Sequence, residues 1–235
     1  MTSIFNLDFT NEGEQPQHRA MNGFLNKAVQ DSLQKAAPAT APPSKKRIPI
    51  RYHHTYETDR FYELSQQGLL ALPLAITDYV EARHKRKTTV RVTNDQKTGK
   101  EIAKIVKARL ADINVYSPRT LFDYRISVNV EMNFEGSMAD LVEPDRARGR
   151  KPDRNKDRMS YTHLAYQIDL TQVTPTEGAN KAEKEHELEI EVSSEDIRKQ
   201  GLLAMNGQDH EYDKLVKGFL DNVRVLARHC QPSLR

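Results

Sequence analysis

Between His186 and Val192 the chain reads His-Glu-Leu-Glu-Ile-Glu-Val, so Glu187, Glu189 and Glu191 recur two residues apart. In an extended strand these carboxylates share one face, successive side chains about 7 Å apart. At an effective dielectric near 20, each neighbouring pair repels by roughly 2 kcal/mol before screening. A hydrated edge strand relieves that repulsion; so does a bound Mg²⁺ or Mn²⁺, for which carboxylates are hard oxygen ligands. A second set, Arg154-Asn-Lys156-Asp-Arg158, puts three cations on one face if it too is extended. Arginine presents a planar fork to phosphate oxygens and lysine a point charge. The plain alternatives are a solvated basic loop, or a nuclear-targeting cluster shared with Arg146, Arg148, Arg150 and Lys151. Third come isolated charges inside strand-like runs: Arg91, Lys107, Arg109, Glu131 and Asp169. Should these polar faces converge inside a closed sheet, they would line a tunnel suited to a polyphosphate and a metal.

The elements that must position these residues are mostly strands. In 124–134, Ile126, Val128, Val130, Met132 and Phe134 alternate with Arg125, Ser127, Asn129, Glu131 and Asn133. The same period of two runs through 166–173, through 187–192, and through 88–93, where Arg91 and Thr93 oppose Val90 and Val92. Such alternation predicts antiparallel strands with one apolar and one polar face, assembled as a sandwich or barrel. Asp95–Gly99 and Ser117-Pro118 supply turns. A helix is predicted over 16–36 from Met21, Phe24, Leu25, Val29 and Leu33, with Asn11 and Glu14 as a capping box. The Pro/Ala-rich stretch 37–47 reads as a linker. After Ser193 the period returns to helical, with Tyr212, Leu215, Val216, Phe219, Leu220 and Val223 on one stripe. The expected organisation is an N-terminal helical segment (1–36), the linker, and one domain over 48–230.

Composition narrows the function. With 36 basic and 33 acidic residues the net charge is +3, too even for a general nucleic-acid coat. A general RNA-binding module is further disfavoured by a lack of clustered exposed aromatics. The single cysteine, Cys230, allows no internal disulfide and no cysteine-based zinc site, which suits a reducing, intracellular compartment. The start, MTSIFNLDF, does not read as a signal peptide. The longest apolar run, 68–76, is interrupted by Pro73 and falls far short of the ~20 residues of a membrane span. His53, His54, His163 and His186 lack metal-ligand spacing and read as structural. No GxxxxGK[ST], GxSxG or HExxH motif occurs.

The blocks TTVRVTNDQKTGK, VYSPRTLFDYRISVNVE, RNKDRMSYTH, QIDLTQV and HELEIEV resemble, in order, strands of the fungal-type RNA 5′-triphosphatases of mRNA capping, the beta subunits of that capping enzyme. These belong to the triphosphate tunnel metalloenzymes. The resemblance implies an eight-stranded antiparallel β-tunnel on helices, usually homodimeric, nuclear, and partnered with the guanylyltransferase. The implied reaction removes the γ-phosphate of 5′-triphosphate RNA with Mg²⁺ or Mn²⁺. Carried over by motif, Glu191 is a metal ligand, and Glu187 and Glu189 complete the acidic strand. Arg91, Lys156 and Arg158 hold the γ-phosphate, and Glu131 positions or deprotonates the attacking water. Lys107, Arg154 and Asp169 line the tunnel, and Asp59 matches a further functional acid.

One departure stands out. The resemblance implies two more metal-binding glutamates on an earlier ExE strand, expected upstream of Met1. Glu12 and Glu14 have the spacing but sit in NEGEQPQ, a helix entry. An incomplete barrel with two unpaired edges is therefore expected, in a shortened form of an active enzyme. The alternatives are a tripolyphosphatase or nucleoside triphosphatase of the same fold, and a non-catalytic scaffold subunit.

Overall fold

The computed structural model describes residues 2–11, 48–73, 89–116, 118, 123–144, 152–176 and 184–229, the first of these as backbone. The 16–36 helix, the linker, the basic cluster 146–151 and Cys230 lie outside the described residues. Nine strands are β1 (Thr2–Asn11), β2 (Arg51–Leu64), β3 (Thr89–Asp95), β4 (Glu101–Val115), β5 (Tyr124–Asn133), β6 (Leu141–Val142), β7 (Arg154–His163), β8 (Tyr166–Pro175) and β9 (Glu185–Val192). Three α-helices are described: α1 (Gln66–Leu70), α2 (Ser194–Met205) and α3 (Tyr212–His229).

The sheet order β3-β4-β5-β1-β9-β8-β7-β2, with β2 returning to β3, closes a ring of eight strands. Every pairing is antiparallel. β6 adds a short pairing to the end of β2. The expected gap is absent. Residues 2–11 form a strand, not part of a helical segment, and β1 joins β5 to β9 with Asn6 opposite Glu191 and Asp8 opposite Glu189. Its sequence carries the signal: Phe5, Leu7 and Phe9 alternate with Asn6, Asp8 and Thr10. Closure leaves no edge between β5 and β9, so the liability expected of an open barrel is not met there.

Polar and apolar faces are segregated by register, because directly paired residues in antiparallel strands share a face. Outside the ring, Tyr161, Leu170, Leu188, Ile190 and Val192 of β7–β9 are buried against Ile197 of α2 and Phe219, Val223, Leu226 and Ala227 of α3. The predicted 212–223 stripe is the face that docks there. A second outer cluster joins Leu64, Leu72, Val90, Val92, Val106 and Phe134 beside α1. Ser193 caps α2 by accepting from the Asp196 amide. The β3–β4 turn is the predicted one: Asp95 accepts from the Lys97 and Thr98 amides, and Gly99 takes φ 68°.

The expected lack of clustered exposed aromatics needs correcting. Tyr52, His54 and Tyr56 form an aromatic file on the outer face of β2, with ring centroids 6.4 and 4.7 Å apart and Lys97 over Tyr56. The i, i+2 spacing clusters them only once the strand exists. His54 also pairs with Asp157 at 2.6 Å, and His186 with Gln172 at 3.0 Å.

The Tyr166 hydroxyl donates to the Leu215 carbonyl at 3.0 Å, and a Cβ at Gly218 would run into that hydroxyl. Gly218→Ala should therefore overpack the α3–β8 contact and cost about 1–3 kcal/mol. Thermal melting should show a fall of several degrees; an unchanged Tm would mean that α3 does not dock as described.

Candidate active site: a charged lumen

β7 is extended, so Arg154, Lys156 and Arg158 do share a face. That face continues across the ring: Asp59 pairs with Arg154 and with Thr93, Phe61 with Arg91, and Asp169 with Glu189. On the far wall Lys107 pairs with Glu131. A β-bulge between Arg109 and Ala111 lets the long β4 bend into the wall.

Asp59 is the hub. Fully buried, it accepts from Lys156 Nζ at 2.6 Å, Thr93 Oγ1 at 2.8 Å and Arg154 Nε at 3.2 Å. Burial opposes its ionisation, but Lys156, Arg91 and Arg154 outweigh that and hold its pKa at about 2. Lys156 is buried too, and its pKa falls to about 8, first through desolvation and then through the nearby Arg158, with Asp59 opposing. Arg154 reaches Glu187 at 3.3 Å, and Lys107 reaches Glu131 at 3.0 Å. Arg158 meets Asp169 at 3.4 Å; desolvation is outweighed there by Asp169, Glu189, Glu57 and Glu191, which hold the guanidinium charged.

The acidic side is under-compensated. Glu191 is raised to about 8 by burial, then by the charges of Glu189, Asp169 and Glu131, with Lys107 the opposing influence. Asp169 is also raised, mainly by burial, against the pull of Arg158. Among the described residues five buried side-chain polar atoms have no hydrogen-bond partner: Arg91 Nε, Arg158 Nε, Ser127 Oγ, Asn129 Oδ1 and Thr171 Oγ1. All five belong to residues of the polar faces. Unpaired guanidinium donors fit an anionic oxygen, and crowded carboxylates fit a hard cation. Among the described residues, however, no three His, Cys, Asp or Glu side chains are disposed to hold a metal alone. Further donors must come from elsewhere, and β1 is the strand opposite Glu189 and Glu191.

Every candidate named from sequence thus falls on this ring. Arg91, Asp59, Arg154, Lys156, Arg158, Asp169, Glu187, Glu189 and Glu191 join one electrostatic network, with Lys107 and Glu131 beside Glu191. Arg109 lies outside it, exposed and 3.4 Å from Asp112. Sequence reasoning missed the orphaned Ser127, Asn129 and Thr171. Their place on the polar phase of the β5 and β8 alternation was the available signal.

Comparison with known proteins adds the following. The sequence profile of the family described as "mRNA capping enzyme, beta chain" matches residues 1–232. The mRNA-capping enzyme subunit beta of Schizosaccharomyces pombe is 30% identical over 227 residues, covering 95% of this chain and 63% of that protein. The Cryptococcus neoformans subunit is 29% identical over 216 residues, 90% of this chain and 44% of that protein. The chain thus spans less than two thirds of the curated relatives' length. The solved structure of S. pombe Pct1 RNA triphosphatase in complex with the Spt5 CTD matches with a TM-score of 0.70 and 25% identity, covering 97% of this chain and 86% of that one. A Mimivirus capping enzyme triphosphatase matches with a TM-score of 0.51 and 12% identity, over 96% of this chain and 89% of that one, a likeness of fold alone.

Two outcomes follow from the lumen charges. Asp59→Asn leaves the buried Lys156 and the half-buried Arg154 without their anion and should cost about 3–5 kcal/mol. Because the folded pKa of Asp59 lies below its ordinary 3.8, its stabilisation is present above about pH 4 and lost towards pH 2. Acid melts should show that slope in wild type and its loss in the variant. Glu191 has the opposite sign. Its folded pKa exceeds the ordinary 4.5, so without metal it destabilises the fold as pH rises from about 4.5 to 8. In chelator at pH 8.5, Glu191→Gln should melt higher than wild type; equal melting would contradict the crowding of Glu191.

Proposed function

Since the chain belongs to the mRNA capping enzyme beta-chain family, we propose that it removes the γ-phosphate from 5′-triphosphate RNA, the first step of cap formation. The observation that carries this reading is one polar-faced ring in which Arg91 Nε on β3 and Arg158 Nε on β7 are buried and unpartnered, with a crowded carboxylate row two strands from β7, on β9.

In this reading Arg91, Lys156 and Arg158 bind the γ-phosphoryl group and neutralise charge on its equatorial oxygens, where preorganised donors are most effective. Asp59 keeps Arg154 and Lys156 in place at 3.2 and 2.6 Å. Glu131, held by Lys107, orients a water for in-line attack and takes its proton. The water oxygen bonds to phosphorus as the bond to the β-phosphate oxygen breaks, giving inorganic phosphate and a diphosphate end. Glu191, with Glu189 beside it, would hold Mg²⁺ or Mn²⁺, which when bound supplies Lewis-acid stabilisation of the phosphoryl oxygens. Asp8 is the acidic residue of β1 in register with that row, opposite Glu189. Guanylyltransferase as partner, a homodimeric state and a nuclear location belong to the same proposal.

A tripolyphosphatase would use the same residues, since the lumen grips phosphates. A scaffold subunit is favoured by one feature alone: β1 carries no glutamate, so the two further metal-binding glutamates that the resemblance implies have no counterpart on it. Phosphate release from triphosphate-ended RNA, ATP and tripolyphosphate in Mg²⁺ and in Mn²⁺ separates these. Glu191→Ala and Arg158→Ala should each lower release from RNA about 100-fold or more. Full activity in Glu191→Ala would overturn the site, and preference for tripolyphosphate alone would overturn the substrate.

A further inference from the structure

At one end of the ring lies a cavity of about 160 Å³, walled by Thr162, Leu164, Gln167, Glu191 and Ser194. That far exceeds the roughly 10–15 Å³ needed by one water on the same measure, and it has room for a ring-sized group. Thr162, Gln167 and Glu191 are direct cross-strand neighbours on β7, β8 and β9, so the cavity is continuous with the charged face. Along β7, Thr162 is four residues from Arg158, roughly 13 Å of strand. That is comparable to the reach from the γ-phosphorus of a nucleoside triphosphate to its sugar and base.

The lining suits an uncharged ligand group. Among the described residues it holds no lysine or arginine that would pair with phosphate. Gln167 gives its amide nitrogen to both oxygens of Asp169, at 3.1 Å each, which leaves its carbonyl oxygen as an acceptor. Thr162 and Ser194 carry hydroxyls that donate or accept. Leu164 is the apolar element, and its backbone is unusual: φ is 54° in the two-residue β7–β8 turn, yet the side chain is 59% exposed. A turn position with positive φ ordinarily falls to glycine or asparagine, and a leucine there is strained. The turn is tied down on both sides, Ala165 O accepting from the Ser193 amide at 2.6 Å and Tyr166 bonding to α3. Strain retained beside a cavity points to a use for the side chain.

We propose that this cavity is a nucleoside subsite, taking the ribose and base next to the triphosphate, with Leu164 against the ring and Thr162, Gln167 and Ser194 on the hydroxyls or base edge. The inference rests on the triphosphatase reading and adds to it a means of preferring a nucleoside-linked triphosphate over free tripolyphosphate.

The full chain should be titrated calorimetrically with ATP and with tripolyphosphate, in wild type, Leu164→Gly and Leu164→Asn, with folding checked by melting. Both substitutions suit the turn, so Tm should hold or rise. The ratio of ATP to tripolyphosphate affinity should fall about 5–10-fold in both variants, the scale of losing an apolar contact in a pocket. An unchanged ratio with tripolyphosphate still bound would overturn the subsite and leave the phosphate tunnel standing. Failure of wild type to bind either ligand would overturn the tunnel reading and the subsite with it.

Discussion

Burying charge is expensive, and the ring exists in this form because its buried charges meet one another. Asp59, Lys156 and Arg154 show the constraint most plainly: a buried carboxylate with its lysine at 2.6 Å and its arginine at 3.2 Å. Each ion alone would cost several kcal/mol to desolvate, and only mutual pairing with further hydrogen bonds offsets that. Thr93 supplies one such bond. With three strands, β2, β3 and β7, contributing to a single carboxylate, the ring cannot shift register there without stranding an ion.

The carboxylate side obeys the same physics with the compensation unfinished. Glu191 and Asp169 are both pushed toward protonation by burial and like charge, while Arg158 Nε and Arg91 Nε lack partners. Donors without acceptors on β3 and β7 and crowded acceptors on β8 and β9 describe a lumen completed by an anion and a cation together. Such a site is preorganised: its dipoles are aimed before the ligand arrives, and the strand framework meets the cost. The helices sit outside because the apolar phase of every strand has nowhere else to go. β7–β9 carry theirs to α2 and α3, while β2–β4 cover theirs with α1 and Phe134.

Much of this was legible in the sequence. The period-two runs of 124–134 and 187–192 located strands, and the charges on their polar phase became lumen residues. The stripe from Tyr212 to Val223 located α3 and its buried face. Other features were not legible. Asn6-Leu7-Asp8 alternates with Phe5 and Phe9, but ten residues at a chain start read equally as a frayed lead-in, so the closing strand was missed. Composition and alternation left Asp59 as one acid among 33 acidic residues, and the family resemblance was what marked it as a candidate. Nothing local says that it is buried among cations from two other strands.

The division has a physical basis. Alternation of side chains is a property of a single strand, so which face each residue takes was fixed by the chain itself, along with the signs of the charges on it. Distances between strands depend on closure, shear and the bulge at Arg109–Ala111, which are properties of the whole ring. Tertiary structure therefore decided that Lys156 meets Asp59, that Glu191 crowds Asp169, and that a strained Leu164 borders a cavity.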